Sequence, residues 1–191
     1  MKLFLASGSP RRAKILSDHG VDFDILRTDA VEVSYPDDPA RTVRENALLK
    51  GRAAAALLPP ATRGVLTADT IVWHAGRIYG KPRDLDEAKE FLRELSGRVH
   101  TVYTGVALDG ETAVETSEVE FRPLSERAID DYIAEVKPTD RAGAYDIDES
   151  GDRLVVRWTG EYENIMGLPL APLRRWGLLA CDLDHTNLPV I

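Results

Sequence analysis

Asp69 stands inside an otherwise apolar run, Val65-Leu66-Thr67-Ala68-Asp69-Thr70-Ile71-Val72-Trp73. On the two-residue period of a strand it shares a face with Val65, Thr67 and Ile71, a costly place for an unpaired carboxylate. It needs a partner: a metal ion, a lysine, a water to activate, or backbone N–H groups in a purely structural role. A second group of reactive residue types lies near the start, where Leu3-Phe4-Leu5-Ala6 empties into Ser7-Gly8-Ser9-Pro10-Arg11-Arg12. Two arginines in a first helical turn add charge where the helix dipole is already positive, so something anionic should offset them. Small residues, open backbone N–H groups and two guanidiniums suit a phosphate, and suit an ordinary capped surface helix equally well. Gly80-Lys81-Pro82 reads in two ways: a close backbone approach with a point charge for phosphate, or a plain turn. Asp140-Arg141-Ala142-Gly143-Ala144-Tyr145 and the later Asn164-Ile165-Met166-Gly167-Leu168-Pro169-Leu170 suit the floor of a base or sugar pocket, or a tight loop packed under a sheet.

The elements that must position these residues alternate along the chain. Leu3 to Ala6 is too short for a membrane span and reads as a buried first strand. Ser9 suits a helix N-cap, Pro10 the first helical position and Gly20 the stop. Phe23 to Arg27 reads as a second strand. Asp38-Pro39 opens a helix to about Leu58, with Val43, Ala47, Ala54, Leu57 and Leu58 inward, ended by Pro59-Pro60. Val65 to Trp73 is strand-like, and His74-Ala75-Gly76-Arg77 turns it into Ile78-Tyr79. Asp84 with Glu87 starts a helix whose Leu85, Ala88, Phe91, Leu92 and Leu95 share a face, and Gly97 stops it. Asp109-Gly110 joins strands His100 to Leu108 and Thr112 to Phe121 as a hairpin. Ser125 caps a helix to about Val136. A polar loop over Asp140 to Asp152 leads to a strand at Leu154 to Trp158 and a last helix after Pro169. True hairpins among helical crossovers imply an α/β fold with a mixed, partly antiparallel sheet.

The 191 residues fit one domain, 43% hydrophobic and 29% charged, as in ordinary globular proteins. A net charge of -8 argues against nucleic-acid or anionic-membrane binding, so a local basic cluster is expected to serve a small anion. The single Cys181 rules out an internal disulfide and a cysteine-based metal framework, and without a targeting segment the cytoplasm is the default location. His19, His74, His100 and His185 lack metal-ligand spacing and read as structural or surface residues. Trp73, Trp158 and Trp176 read as core or lobe-interface residues. No Gly-x4-Gly-Lys-Ser/Thr loop occurs, which argues against a P-loop NTPase.

Taken together and in order, LASGSPRR at Leu5–Arg12, the helix ending near Lys50, ADT at Ala68–Thr70, GKP at Gly80–Pro82, LSGRVHTVYTGV at Leu95–Val106, the DRAGAY run and NIMGLPL at Asn164–Leu170 resemble the Maf family of nucleoside triphosphate pyrophosphatases, first discussed as septum-formation inhibitors. The resemblance implies a single domain over 1–191 with a mixed twisted sheet flanked by helices. It also implies two lobes around a cleft, kinship with the inosine-triphosphate pyrophosphatases, and a homodimer. It implies hydrolysis of a nucleoside triphosphate to the monophosphate and pyrophosphate with Mg²⁺ or Mn²⁺. By position, Asp69 matches the family's catalytic proton acceptor and Glu32 an acidic residue near the metal, which Asp69 could also ligate. Lys50 and Lys81 match lysines of the phosphate site, and Ser7, Ser9, Arg11 and Arg12 match its opening loop.

In the branch resembling dTTP and UTP pyrophosphatases, base choice is associated with an arginine, a threonine and a glutamine. Arg11 and Thr70 match the first two, while aligning AGAYDID with the family's AGAYGIQ puts Asp148 in the glutamine's place. An ionised aspartate only accepts hydrogen bonds, so Asp148 would pair with a pyrimidine ring N–H but repel O4. The dTTP/UTP reading is favoured on two of three positions. The same reaction on a cytosine nucleotide or 7-methyl-GTP is the alternative, as is a non-catalytic nucleotide-binding regulator of cell division. The intact Asp69, Lys50 and Lys81 favour an enzyme.

Overall fold

A computed structural model of the chain describes residues 2–180. Cys181 and His185 lie outside them. Strand β1 (Leu3–Leu5) leads into helix α1 (Pro10–Asp18), and β2 (Phe23–Ile25) returns parallel to β1. Helix α2 (Pro39–Ala55) begins at Asp38, whose carboxylate accepts the Arg41 N–H at 2.9 Å. It ends before Leu57 and Leu58, because the approaching Pro59-Pro60 disfavours helical backbone, and Leu57 is left exposed. Strand β3 (Val65–His74) turns into the short β4 (Arg77–Tyr79), and helix α3 (Leu85–Leu95) starts where Asp84 accepts the Glu87 N–H at 2.8 Å.

Strands β5 (Val99–Leu108) and β6 (Glu111–Phe121) form the expected hairpin, and α4 (Glu126–Val136) is capped by Ser125. The polar loop that follows contains two 3-10 turns, Ala142–Ala144 and Gly151–Arg153, before β7 (Val155–Thr159). Two short helices close the described chain, α5 (Tyr162–Met166) and α6 (Leu170–Arg175). Sequence periodicity does not anticipate α5, since five residues span little more than one turn. Among the described residues no helix is long and apolar enough to cross a membrane.

The sheet order is β2-β1-β3-β5-β6-β7, with β4 against the far end of β3. The pairs of β1 with β2 and β3 are parallel and the remaining pairs are antiparallel, giving the mixed sheet that hairpins and crossovers imply. Alternation along β3 sends its side chains to different places. On one face Thr67 and Asp69 meet α2, and the Thr67 hydroxyl donates to the Ala47 carbonyl at 2.7 Å. Gly105 pairs with Asp69 across the sheet, and α2 lies so close there that a Cβ on Gly105 would fall 2.4 Å from the Val43 carbonyl oxygen.

The opposite face carries two apolar clusters. Leu66, Ala68 and Val106 pack with Leu5, Leu16 and Leu173, while Val72 and Val102 pack with Phe91, Leu92, Ile129 and Tyr132. Thr70 and Thr104, partners across β3 and β5, sit between the two clusters. A cleft opens there, lined by Thr70, Val72 and Val102. Trp158 departs from the expected core position: it lies 46% exposed on the edge strand β7, tilted against Tyr162.

Candidate active site

Asp69 is 5% exposed and has the partner its position demands. Its Oδ1 accepts from Lys50 Nζ at 2.6 Å and its Oδ2 from Asn46 Nδ2 at 3.1 Å. Asn46 and Lys50 are one turn apart on α2, so the close seating of that helix over Gly105 delivers both donors at once. Lys50 reaches a second carboxylate, Glu32, at 2.8 Å. Asn46 also fixes the loop that carries Glu32, accepting from the Val33 N–H at 2.8 Å and donating to the Val33 carbonyl at 3.0 Å. The result is a chain of charge: Glu32 at the surface, Lys50 between, and Asp69 behind it.

The opening loop lies alongside. Ser9 is the N-cap of α1 by backbone conformation, yet its hydroxyl makes no capping bond. The amides of the first turn are therefore left without a side-chain acceptor, as an anion site requires. The two arginines point to different places. Arg12 is half-buried and makes four hydrogen bonds to neutral acceptors: the Ser7 and Thr70 hydroxyls at 3.1 and 3.0 Å, and the Ala68 and Gly167 carbonyls at 2.9 and 2.8 Å. Burial pushes its guanidinium down to about 10, opposed by the nearby charge of Asp69, so it stays protonated at neutral pH. Gly167 must be glycine for this contact. Its φ is +103°, and a Cβ would lie 3.1 Å from the Thr70 hydroxyl and 3.4 Å from Arg12 Nε.

Arg11 instead crosses the cleft to the loop after α4. Its Nη1 lies 3.2 Å from Asp146 Oδ2 and 3.9 Å from Asp140 Oδ2. These carboxylates offset the first-turn charge that the sequence leaves unbalanced.

Two adjoining chambers result. One, with about 750 Å³ of empty space, is bounded by Ser7, Gly8, Thr28, Glu32, Lys50 and Lys81. The other, with about 530 Å³, is bounded by Thr70, Val72, Tyr145, Asp146, Ile165 and Gly167. Ser9, Arg11, Arg12, Lys81 and Asp140 line both. The first is cationic and hydrophilic, and the second sets Val72, Tyr145, Ile165 and Met166 against the polar groups of Arg11, Thr70 and Asp146, as suits an organic ring with polar edges. Lys81 is exposed at their junction, paired with no carboxylate among the described residues. The Gly80 carbonyl accepts the Gly143 N–H at 3.1 Å, which ties the lysine's turn to the AGAY turn.

The structure thus brings together Ser7, Ser9, Arg11, Arg12, Glu32, Lys50, Asp69, Thr70 and Lys81. Asp69 reaches the first chamber only through Lys50. Asp148 lines neither chamber; its Oδ1 faces the Tyr162 hydroxyl at 3.4 Å. Asn46 and Asp146 belong to the site by contact and have no sequence signal of their own, while Arg141 falls within the DRAGAY run, which assigns it no role. An acidic residue two places before Asp148 in the same turn is the one available hint.

A hard divalent cation fits this donor set. Glu32 and Asp69 already bracket one positive charge, the Lys50 ammonium, and both offer oxygen. Among the described residues no group of three or more His, Cys, Asp or Glu could close around an ion. Two carboxylates that leave the other positions to water and phosphate oxygens match the habit of Mg²⁺.

Known proteins resemble this chain over most of its length. A chain from Bacillus cereus (strain B4264) named dTTP/UTP pyrophosphatase is 42% identical over 97% of this chain and 98% of that protein. One of the same name from Bacillus cytotoxicus is 44% identical over 91% of this chain and 93% of that protein, and one from Deinococcus radiodurans 40% over 91% and 90%. A solved nucleoside-triphosphatase / dITP/XTP pyrophosphatase from Mycobacterium abscessus aligns with a TM-score of 0.38 at 17% identity, covering 63% of this chain and 74% of that one, too distant to carry an argument. The family model described as Maf-like protein matches residues 2–177. The chain belongs to the Maf-like protein family.

Proposed function

We propose that this chain is a nucleoside triphosphate pyrophosphatase that hydrolyses dTTP and UTP to the monophosphate and pyrophosphate, as a homodimer in the cytoplasm. The observation that carries the reading is the pair of chambers joined at Arg11, Arg12 and Lys81: a cationic one backed by a buried acid, and one in which apolar side chains meet a few polar groups, as a base requires. The names of the relatives above support the choice of thymine and uracil nucleotides.

In this reading the triphosphate lies in the first chamber, its charge met by Lys81, Lys50, Arg11 and the open amides of α1. Phosphate oxygens compete for the Lys50 ammonium, which draws it from Asp69 and uncovers the carboxylate. Asp69 then orients a water on the side of the α-phosphorus opposite the pyrophosphate and accepts its proton. The water oxygen bonds to the α-phosphorus as the bond to the bridging oxygen breaks, and the pyrophosphate leaves with that electron pair. Glu32 and Asp69 would hold a divalent metal, Mg²⁺ or Mn²⁺, whose charge supports the leaving group and makes a bound water more acidic. Lys50 and Lys81 stabilise the charge that grows on the phosphate oxygens. The structural role of Arg12 is to bind α1 to Ala68, Thr70 and Gly167, and it adds a fixed positive charge behind the phosphates.

A pyrophosphate-release panel over dTTP, UTP, CTP, 5-methylated analogues and 7-methyl-GTP, with Mg²⁺ and with Mn²⁺, tests the reading. The expected result is the highest kcat/KM for dTTP and UTP. Saturable binding of every nucleotide without pyrophosphate release would instead mark a nucleotide-binding regulator.

A further inference from the structure

Asp146 is a buried carboxylate to which the reaction above assigns no step. Its Oδ2 accepts from Arg11 Nη1 at 3.2 Å and from Arg141 Nε at 2.9 Å, and its Oδ1 accepts the Asp148 N–H at 2.9 Å. Its own N–H donates to the Tyr132 hydroxyl at 2.9 Å. Arg141 is anchored in turn by Glu149 at 2.6 Å and Asp140 at 3.2 Å. A side chain 5% exposed and held from three sides has one orientation, and it lines the second chamber beside Arg11 and Thr70.

Counting donors and acceptors shows what this wall can recognise. A carboxylate offers about four lone-pair positions, and three are taken, so Asp146 keeps one. Arg11 has five N–H groups, and the carboxylates it meets are those of Asp146 and Asp140. The Thr104 hydroxyl donates to the Asn164 carbonyl at 2.9 Å, so the Thr70 hydroxyl must give its proton to Thr104 at 3.1 Å. Arg12 occupies one Thr70 lone pair, and Thr70 can therefore offer the chamber only an acceptor. The wall presents a fixed donor, Arg11, directly beside a fixed acceptor, Asp146.

We propose that the Arg11–Asp146 ion pair is the base-reading edge of the chamber, with Asp146 the specificity-determining residue. This rests on the nucleotide reading above and names how its base is chosen. The complementary edge is an N–H next to a carbonyl, as in uracil and thymine: the ring N–H donates to Asp146 and the carbonyl oxygen accepts from Arg11. Held in the same pose, cytosine turns an unprotonated ring nitrogen toward Asp146 and, where uracil has O4, an amino group toward Arg11, so neither hydrogen bond forms. Asp146 also acts by position, since without it Arg11 is free to turn toward the phosphates.

Equilibrium binding of α,β-methylene analogues of UTP and CTP tests this, with tripolyphosphate as a probe that lacks a base. In Asp146→Asn the UTP:CTP affinity ratio should fall about tenfold, the scale of one base-edge hydrogen-bond pair, with tripolyphosphate binding not weakened. Arg11→Lys leaves Asp146 bonded to Arg141 and should lower the ratio by itself, and the double variant should lower it no further. A ratio unchanged in Arg11→Lys, or in folded Asp146→Asn, overturns the proposal. So does a loss in Asp146→Asn that is equal for tripolyphosphate and UTP. If Asp146→Asn does not fold, Arg11→Lys decides alone. Wild-type protein that prefers the UTP analogue yet releases no pyrophosphate would defeat the hydrolytic reading and leave this one standing, whereas no preference in the wild type defeats this one.

Discussion

Gly105→Ala should damage catalysis from beneath the site without touching a reacting group. The added Cβ would lie 2.4 Å from the Val43 carbonyl oxygen, 2.5 Å from its carbon and 2.9 Å from the Arg44 nitrogen, all backbone atoms of α2. Backbone cannot swing aside as a side chain can, so the helix as a whole must lift by about 1 Å to reach ordinary contact. Asn46 and Lys50 travel with it, and their bonds to Asp69, now 3.1 and 2.6 Å, would stretch beyond useful hydrogen-bond length.

Overpacking of this kind costs about 1–3 kcal/mol, read as a melting temperature lower by roughly 2–12 °C in a chain of this size. A misplacement of about 1 Å at the chemistry can cost on the order of 100-fold in kcat. Thermal melts and pyrophosphate release on the same preparation measure both. Gly51→Ala is the control on the same helix: its Cβ meets Thr67 at 3.6 Å, an ordinary contact, and it should melt no lower than wild type. Wild-type stability and turnover in Gly105→Ala would refute the claim that the seating of α2 sets the geometry around Asp69.

Three further outcomes follow from the same geometry. Asp148→Gln should leave the UTP:CTP preference within about twofold, well below the scale of a lost base-edge contact, because Asp148 faces Tyr162 instead of the chamber; competition assays check it. Glu32→Gln should raise the Mg²⁺ concentration needed for half-maximal rate, seen in metal titrations, while the folded chain stays intact, since Glu32 is exposed and, among the described residues, its side chain is paired with Lys50 alone. Burial pushes His100 down to about 3, so between about pH 6.5 and pH 3 the unfolded chain takes up a proton that the folded chain refuses. That stability is complete above about pH 6.5 and is lost as pH falls, by up to about 1.4 kcal/mol per unit; His100→Gln should flatten this part of a urea-denaturation series relative to wild type.

Much of the site is legible in the sequence because its residues break a local rule. Asp69 interrupts an apolar strand, and Arg11 and Arg12 place charge at the wrong end of a helix. Alternation along β3 also separates the α2 face from the face with two cores. Asn46 is different: it is a polar residue on a helix, and its partners Val33 and Asp69 lie 13 and 23 positions away, so only the tertiary fold gives it meaning. Gly105 resembles any strand glycine until the helix above it is placed. The choice between Asp146 and Asp148 depends on where side chains point within an irregular turn, which carries no periodicity to read. The short α5 is fixed by tertiary bonds, with Asn164 buried 2.9 Å from the Ser117 hydroxyl.

Asp69→Asn, assayed for nucleotide binding and turnover together, tests the central claim most directly. The substituted amide keeps the shape of the carboxylate and removes its capacity to accept a proton from water. The expected result is a folded protein that binds UTP within a few-fold of wild type and releases pyrophosphate about 10²–10⁴-fold more slowly, the range for loss of a positioned base. Near-normal turnover in a folded Asp69→Asn would contradict the assignment of Asp69 as the proton acceptor.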